Sequence, residues 1–127
     1  MPTAVTEAIR VTVEAVYLED RSSPEDDAYA FAYVVAIANE GDTPVQLMRR
    51  HWIITDGNGE VREVEGPGVV GEQPVLEPGA IHRYTSGAIL KTPVGSMEGT
   101  YEMHEAGGRV FQARIPRFRL QRPGIVR

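Results

Sequence analysis

The sequence contains no cysteine, which excludes disulfide frameworks, thiol nucleophiles and cysteine-ligated zinc or iron–sulfur centres. Aromatic residues make up only 7% of the chain, and long apolar runs are missing. The longest, AYAFAYVVAIA at 28–38, falls short of the roughly 20 residues that a membrane-spanning helix needs. The opening MPTAVTEAIR holds no apolar stretch of signal-peptide length, so a cytoplasmic protein without membrane attachment is expected. What is present, 127 residues of which 42% are apolar and 24% charged, describes one soluble domain over 1–127. A chain of this size buries roughly 65–70% of its unfolded surface, enough to form a core with no metal or cofactor as a staple.

The net charge of −5 hides a gradient. Residues 1–77 carry 15 acids and 5 bases, whereas 78–127 carry 3 acids and 8 bases. An acidic total argues against nucleic acid as a partner, because phosphate binding needs an extended basic surface. Five acids between Glu19 and Asp27 make a solvated loop able to bind divalent cations weakly, without the D-x-D-x-D-G spacing of a calcium site. Six Arg and no acid lie between Arg109 and Arg127.

Apolar residues alternate with period two, and no segment of 11 or more residues keeps helical spacing, so an all-β fold is expected. Strands are predicted near 9–18, 28–39, 45–55, 60–64, 81–89, 100–104 and 109–115, about seven in all and mainly antiparallel, which favours a sandwich. Residues 28–39 set Tyr29, Phe31, Tyr33, Val35 and Ile37 against a row of small residues, which reads as a strand covered on both faces. Asp56-Gly57-Asn58-Gly59 tolerates positive φ and joins 45–55 to 60–64 as a hairpin. Residues 65–79 hold too many Gly and Pro for a long element and read as a connection; 1–8 are expected to be flexible, and 116–127 an irregular tail anchored by Phe118 and Leu120.

Candidate chemistry is sparse. Gly66, Gly68 and Gly71 match G-x-G-x-x-G, a spacing that lets backbone amides approach a phosphate at a helix N-terminus. Here no helix can follow, Pro67 removes a donor, and Glu63, Glu65, Glu72 and Glu77 repel an anion, so the segment reads as a bent connection with an anion loop as the alternative. An anion site there would need inward amides and a nearby Arg49 or Arg50. His51, His82 and His104 lack any local metal-ligand spacing, and no metal site is expected. Ser86 stands in Y-T-S-G-A, outside the G-x-S-x-G elbow of hydrolases, and no catalytic constellation is visible. Arg114, Arg117, Phe118 and Arg119 combine charge with an aromatic, the composition of interface centres, and are the candidate surface for an unidentified protein partner.

Taken in order, HWIITDGNG at 51–59, GPGVVGEQPVLEPG at 66–79, YTSGAIL at 84–90, TPVGSMEGTYEM at 92–103 and IPRFRL at 115–120 resemble the ApaG family of small bacterial proteins. The resemblance spans Ile9 to Ile125. It implies a fibronectin type III-like or immunoglobulin-like β-sandwich and no established reaction, cofactor or catalytic residue. The family takes its name from a gene neighbourhood shared with diadenosine tetraphosphate hydrolase, and a link to cobalt and magnesium resistance has been proposed. Related domains stand in an F-box protein and in a DNA polymerase delta-interacting protein, which implies protein recognition. Within the family the glycine-rich segment has been suggested as a nucleotide site, which falls here on Gly66, Gly68 and Gly71. A non-enzymatic protein–protein interaction module is thus expected, with a nucleotide or pyrophosphate site at Gly66–Gly71, or a role in cobalt and magnesium homeostasis, as alternatives.

Overall fold

A computed structural model describes residues 1–124. Nine strands build two antiparallel sheets that pack as a sandwich, an arrangement consistent with a fibronectin type III-like fold. The first sheet has the order β1-β2-β3-β7, formed by Thr3–Thr6, Ile9–Tyr17, Tyr29–Asn39 and Ile81–Leu90. The second has the order β5-β4-β8-β9, formed by Val61–Pro67, Val45–Asp56, Val94–Glu105 and Val110–Gln121, and the two-residue β6, Val75–Leu76, pairs with the start of β4. Among the described residues helical content is limited to two single 3-10 turns, Glu19–Arg21 and Pro24–Asp26, in the acidic loop. No helix among the described residues is long and apolar enough to cross a membrane.

The odd residues of β3, Tyr29 to Ile37, fill the core against Trp52, Tyr101 and Phe118. Trp52 meets Tyr33, Tyr101 and Phe118 with ring centroids 5.3, 6.4 and 5.9 Å away, each edge-on, the arrangement aromatic quadrupoles favour. The hairpin at Asp56 forms as expected, its Asp56 Oδ1 accepting from the amides of Asn58 and Glu60 at 2.8 and 3.0 Å. Asn39, buried at the end of β3, donates from Nδ2 to the carbonyls of Thr43 and Leu76 and accepts from the Gly41 amide, which ties the first sheet to β6 of the second.

Several expectations need correction. Residues 1–8 contain β1, which turns into β2 through Glu7 and Ala8, both at positive φ. A two-residue hairpin of this kind ordinarily announces itself by Gly or Asn, and Glu-Ala gives no such signal. Residues 116–121 are not an irregular tail but the second half of β9. Pro116 sits in a bulge where Ile115 pairs with Gly99 and Phe118 with Met97, so the missing N–H interrupts no ladder bond. The end of the expected tail, 125–127, lies outside the described residues. The 65–79 connection contains the end of β5 and all of β6, and β8 begins six residues before the strand expected at 100. Finally, β3 is covered on one face only: on the other, Val34 is 41% exposed between half-exposed alanines.

Candidate functional site

One structural device sets the position of the arginine at the centre of the site. Val45 and Leu47 face inward on odd positions, a bulge between Leu47 and Arg49 adds a residue, and Trp52 and Ile54 then face inward on even positions. The shift turns Arg49 outward and puts Arg50 on the core-facing side of β4, in register with Gly66 of β5 and Tyr101 of β8. An arginine cannot end in a dry core. Arg50 escapes sideways across Gly66, where the absence of a side chain leaves a seat for the guanidinium: a Cβ on Gly66 would lie 3.0–3.2 Å from its Nη1, Nη2 and Cζ. Nη1 donates to the carbonyls of Pro67 and Gly68 at 2.8 and 3.1 Å.

The glycine-rich segment therefore turns carbonyls toward an arginine. The Gly68 amide donates to Met48 O at 2.9 Å and the Val69 amide to Glu72 O at 2.8 Å, so these two amides are engaged within the protein. Gly66 and Gly68 are buried and Gly71 is exposed. Gly68 has φ +59°, and a Cβ there would come within 2.2 Å of the Glu72 carbonyl oxygen. Gly68→Ala is accordingly expected to lower stability by ~2–3 kcal/mol, the sum of left-handed strain and a backbone overlap, readable as a fall in the urea midpoint. An unchanged midpoint would show that the loop can re-form elsewhere.

Beside Arg50 the Tyr84 and Tyr101 hydroxyls form a short hydrogen bond, and Tyr33 stands opposite Ser86 in the β3–β7 register. Burial pushes the ionisation of Tyr101 well up and raises Tyr84 and Tyr33 as well, while the Arg50 charge acts on all three in the opposite, weaker sense. Tyr33 and Arg50 stand at the inner end of a cleft of about 540 Å³ that opens between β5 and β7. Its walls are apolar at Trp52, Ile54, Val64 and Ala88. Its charged residues are Arg21, Arg50 and Arg62, and among the described residues no carboxylate lines it.

The expected partner surface is only partly a surface. Phe118 is 4% exposed and packs against Tyr33 and Trp52, so it belongs to the core and is not available to a partner. Arg114, Arg117 and Arg119 do point outward from β9. They share that face with Glu98 and Glu102 of β8, Arg117 lying 3.9 Å from Glu98, so the face carries alternating columns of charge. His51 and His104 pair singly with Glu63 and Glu102 at 2.7 and 2.8 Å on the same outer face, while His82 turns inward beside Tyr84. Among the described residues no three His, Cys, Asp or Glu side chains gather as a metal site.

The ApaG domain family matches residues 19–105. The chain is 55% identical over 118 residues to Protein ApaG of Pseudomonas aeruginosa, covering 93% of this chain and 94% of that one. It belongs to the ApaG family. Protein ApaG of Agrobacterium fabrum is 54% identical over 98% of this chain and 95% of its own length. The crystal structure of a Bordetella pertussis protein described as ApaA superposes with a TM-score of 0.89 at 44% identity, covering 98% of each chain. The ApaG match takes in both the bulged β4 with Arg50 and the glycine-rich segment that seats it. The cleft was missed in the sequence because Arg21, Tyr33, Arg50 and Arg62 are spread over four elements; the signal that could have found it is the odd-to-even change in apolar phase between Leu47 and Trp52.

Proposed function

We propose that this ApaG protein is a non-enzymatic recognition module of the cytoplasm that binds a protein partner at the open flank between β5 and β7. The observation that carries this is the cleft itself: apolar walls and three arginines, one of which, Arg50, has its guanidinium fixed at the inner end. Aromatic and arginine groups held rigidly at the centre of a patch are the composition of interface hot spots, because little side-chain entropy remains to be lost on binding. The alternative of a nucleotide at Gly66–Gly71 has less support, since the Gly68 and Val69 amides are engaged and Pro67 has none.

The test is a pull-down from cell extract with the full chain, its Arg21→Glu, Arg62→Glu double variant, whose two side chains are exposed, and its Arg114→Glu, Arg117→Glu, Arg119→Glu triple variant. The flank reading expects a reproducible set of captured proteins that the double variant loses, with its urea midpoint unchanged, and that the triple variant keeps. Capture of nothing above bare resin, or a set lost only by the triple variant, would overturn it.

A further inference from the structure

The two sheets are not matched in width at the open flank. Strand β9 packs against β1 and β2 at the closed side, and this offset leaves β5 overhanging beyond β7 with no strand opposite. The residues of β5 on the inner side, Arg62 and Val64, are consequently exposed, Val64 by 37%, and only Gly66, beneath Arg50, is buried. Among the described residues no strand occupies the place facing them, beside β7 in the first sheet.

Strand β7 is also prepared for such a neighbour. Its pairing with β3 runs without a bulge from Tyr29–Leu90 to Ala38–Ile81. In an antiparallel ladder alternate residues direct both backbone groups to the partner. The Asn39 amide donates to Ala80 O at 3.0 Å, which sets the phase, so Ile81, Arg83, Thr85, Gly87 and Ile89 direct theirs away from β3. Arg62 Nη2, coming from the β5 side, donates to the Ile89 carbonyl at 3.3 Å, in keeping with that direction. Proteins normally blunt long edges with proline, lysine, a bulge or shortness. The other three edges among the described residues follow this: β1 has four residues, β5 ends in Pro67, and β9 is bulged at Pro116. Strand β7 has ten residues, no proline, no lysine and one charged residue, Arg83.

We infer that β7 accepts an extended acidic peptide segment of a partner protein as an added fifth strand, with its inward side chains facing Arg62, Val64 and Arg50. This rests on the protein-recognition reading above and names its mode. Backbone bonds to the five outward residues of β7 supply affinity, and alternate side chains supply selectivity. The acidic character follows from Arg21, Arg50 and Arg62 in a cleft whose described lining residues include no carboxylate. Of the carboxylates near β5, Glu63 and Glu65 lie on the opposite face, where Glu63 pairs with His51, and Asp56 and Glu60 line the adjoining hollow at the Ile89 end with Arg62 and Lys91, so the acidic side chains of the peptide belong from Arg62 toward Arg50 and Arg21. Arg62 would exchange the Ile89 carbonyl for a peptide carboxylate, and a peptide N–H would take its place.

The experiment is panning of a dodecapeptide phage library against the full chain, followed by titration of the enriched peptide made synthetically. Expected are a net negative peptide with apolar residues at alternate positions, amide shifts confined to β7 and β5, and a Kd weakened about tenfold or more by Arg62→Glu. N-methylation of alternate peptide amides in one of the two phases should abolish binding, a loss that leaves the protein untouched. Enrichment of basic peptides, shifts on β9, insensitivity to N-methylation in both phases, or no enrichment would overturn strand addition. So would concentration-dependent dimers of the chain alone with the same β7 shifts, which would assign the edge to a second copy. If the extract still yields flank-dependent partners while the peptides fail, protein recognition stands and strand addition falls.

Discussion

Phe118→Ala is expected to lower the unfolding free energy by ~3–5 kcal/mol, the range for deleting a buried aromatic side chain. Domains of this kind are stable by only ~5–15 kcal/mol, so the variant should show a far lower urea midpoint with an unchanged slope. The reason is location: Phe118 touches both Tyr33 and Trp52 at the centre of the sandwich, and the cavity left by its ring cannot close without moving both sheets. The neighbouring arginines should behave in the opposite way. Arg114→Glu, Arg117→Glu and Arg119→Glu together are expected to shift stability by less than ~1 kcal/mol, because these side chains are exposed and their one ion pair among the described residues, Arg117–Glu98, is long. Equal effects from the two variants would mean that the alternation along β9 has been misassigned.

A second large effect is expected in alkali. A tyrosine in an unfolded chain loses its proton at about pH 10. Burial raises the ionisation of Tyr33, Tyr84 and Tyr101 above that, so the folded state holds its protons after the unfolded state has released them. By linkage the stabilisation is complete below about pH 10 and is lost as pH climbs toward the folded values, by at most ~1.4 kcal/mol per pH unit for each tyrosine that the folded state still holds protonated. Urea midpoints between pH 8 and 11.5 would measure this. The Tyr84→Phe, Tyr101→Phe double variant should have a clearly shallower slope, keeping only what Tyr33 contributes. A wild-type slope as shallow as the variant's would show that the two hydroxyls ionise in place.

Much of the sandwich was legible because one physical rule, alternation across a half-buried strand, operates throughout β2 and β3 and on either side of the bulges in β4 and β9. What was not legible arose where that rule changes phase. Reading Pro116 as the end of a strand ignored that Phe111, Ala113 and Ile115 are odd while Phe118 and Leu120 are even, the mark of one inserted residue. The same change between Leu47 and Trp52 hides the inward turn of Arg50, and with it the purpose of Gly66 as a seat for a guanidinium. The G-x-G-x-x-G spacing pointed to the right segment for the wrong reason. The overhang of β5 depends on how two sheets of different strand count are offset, which no local pattern records.

The seal at the closed side has a consequence for the order of assembly. Thr6 Oγ1 accepts from the Arg114 amide at 3.0 Å, and Glu7 pairs with Arg109, contacts that join residues more than 100 positions apart. The first strand synthesised thus waits for the last, and while the chain emerges the inner faces of β2 and β3 stay uncovered by β8 and β9. Contacts of such sequence separation slow folding, since a long loop must close before any of them forms. Truncation at the C-terminal end would then act at a distance, loosening the N-terminal strand although no residue of it has been changed.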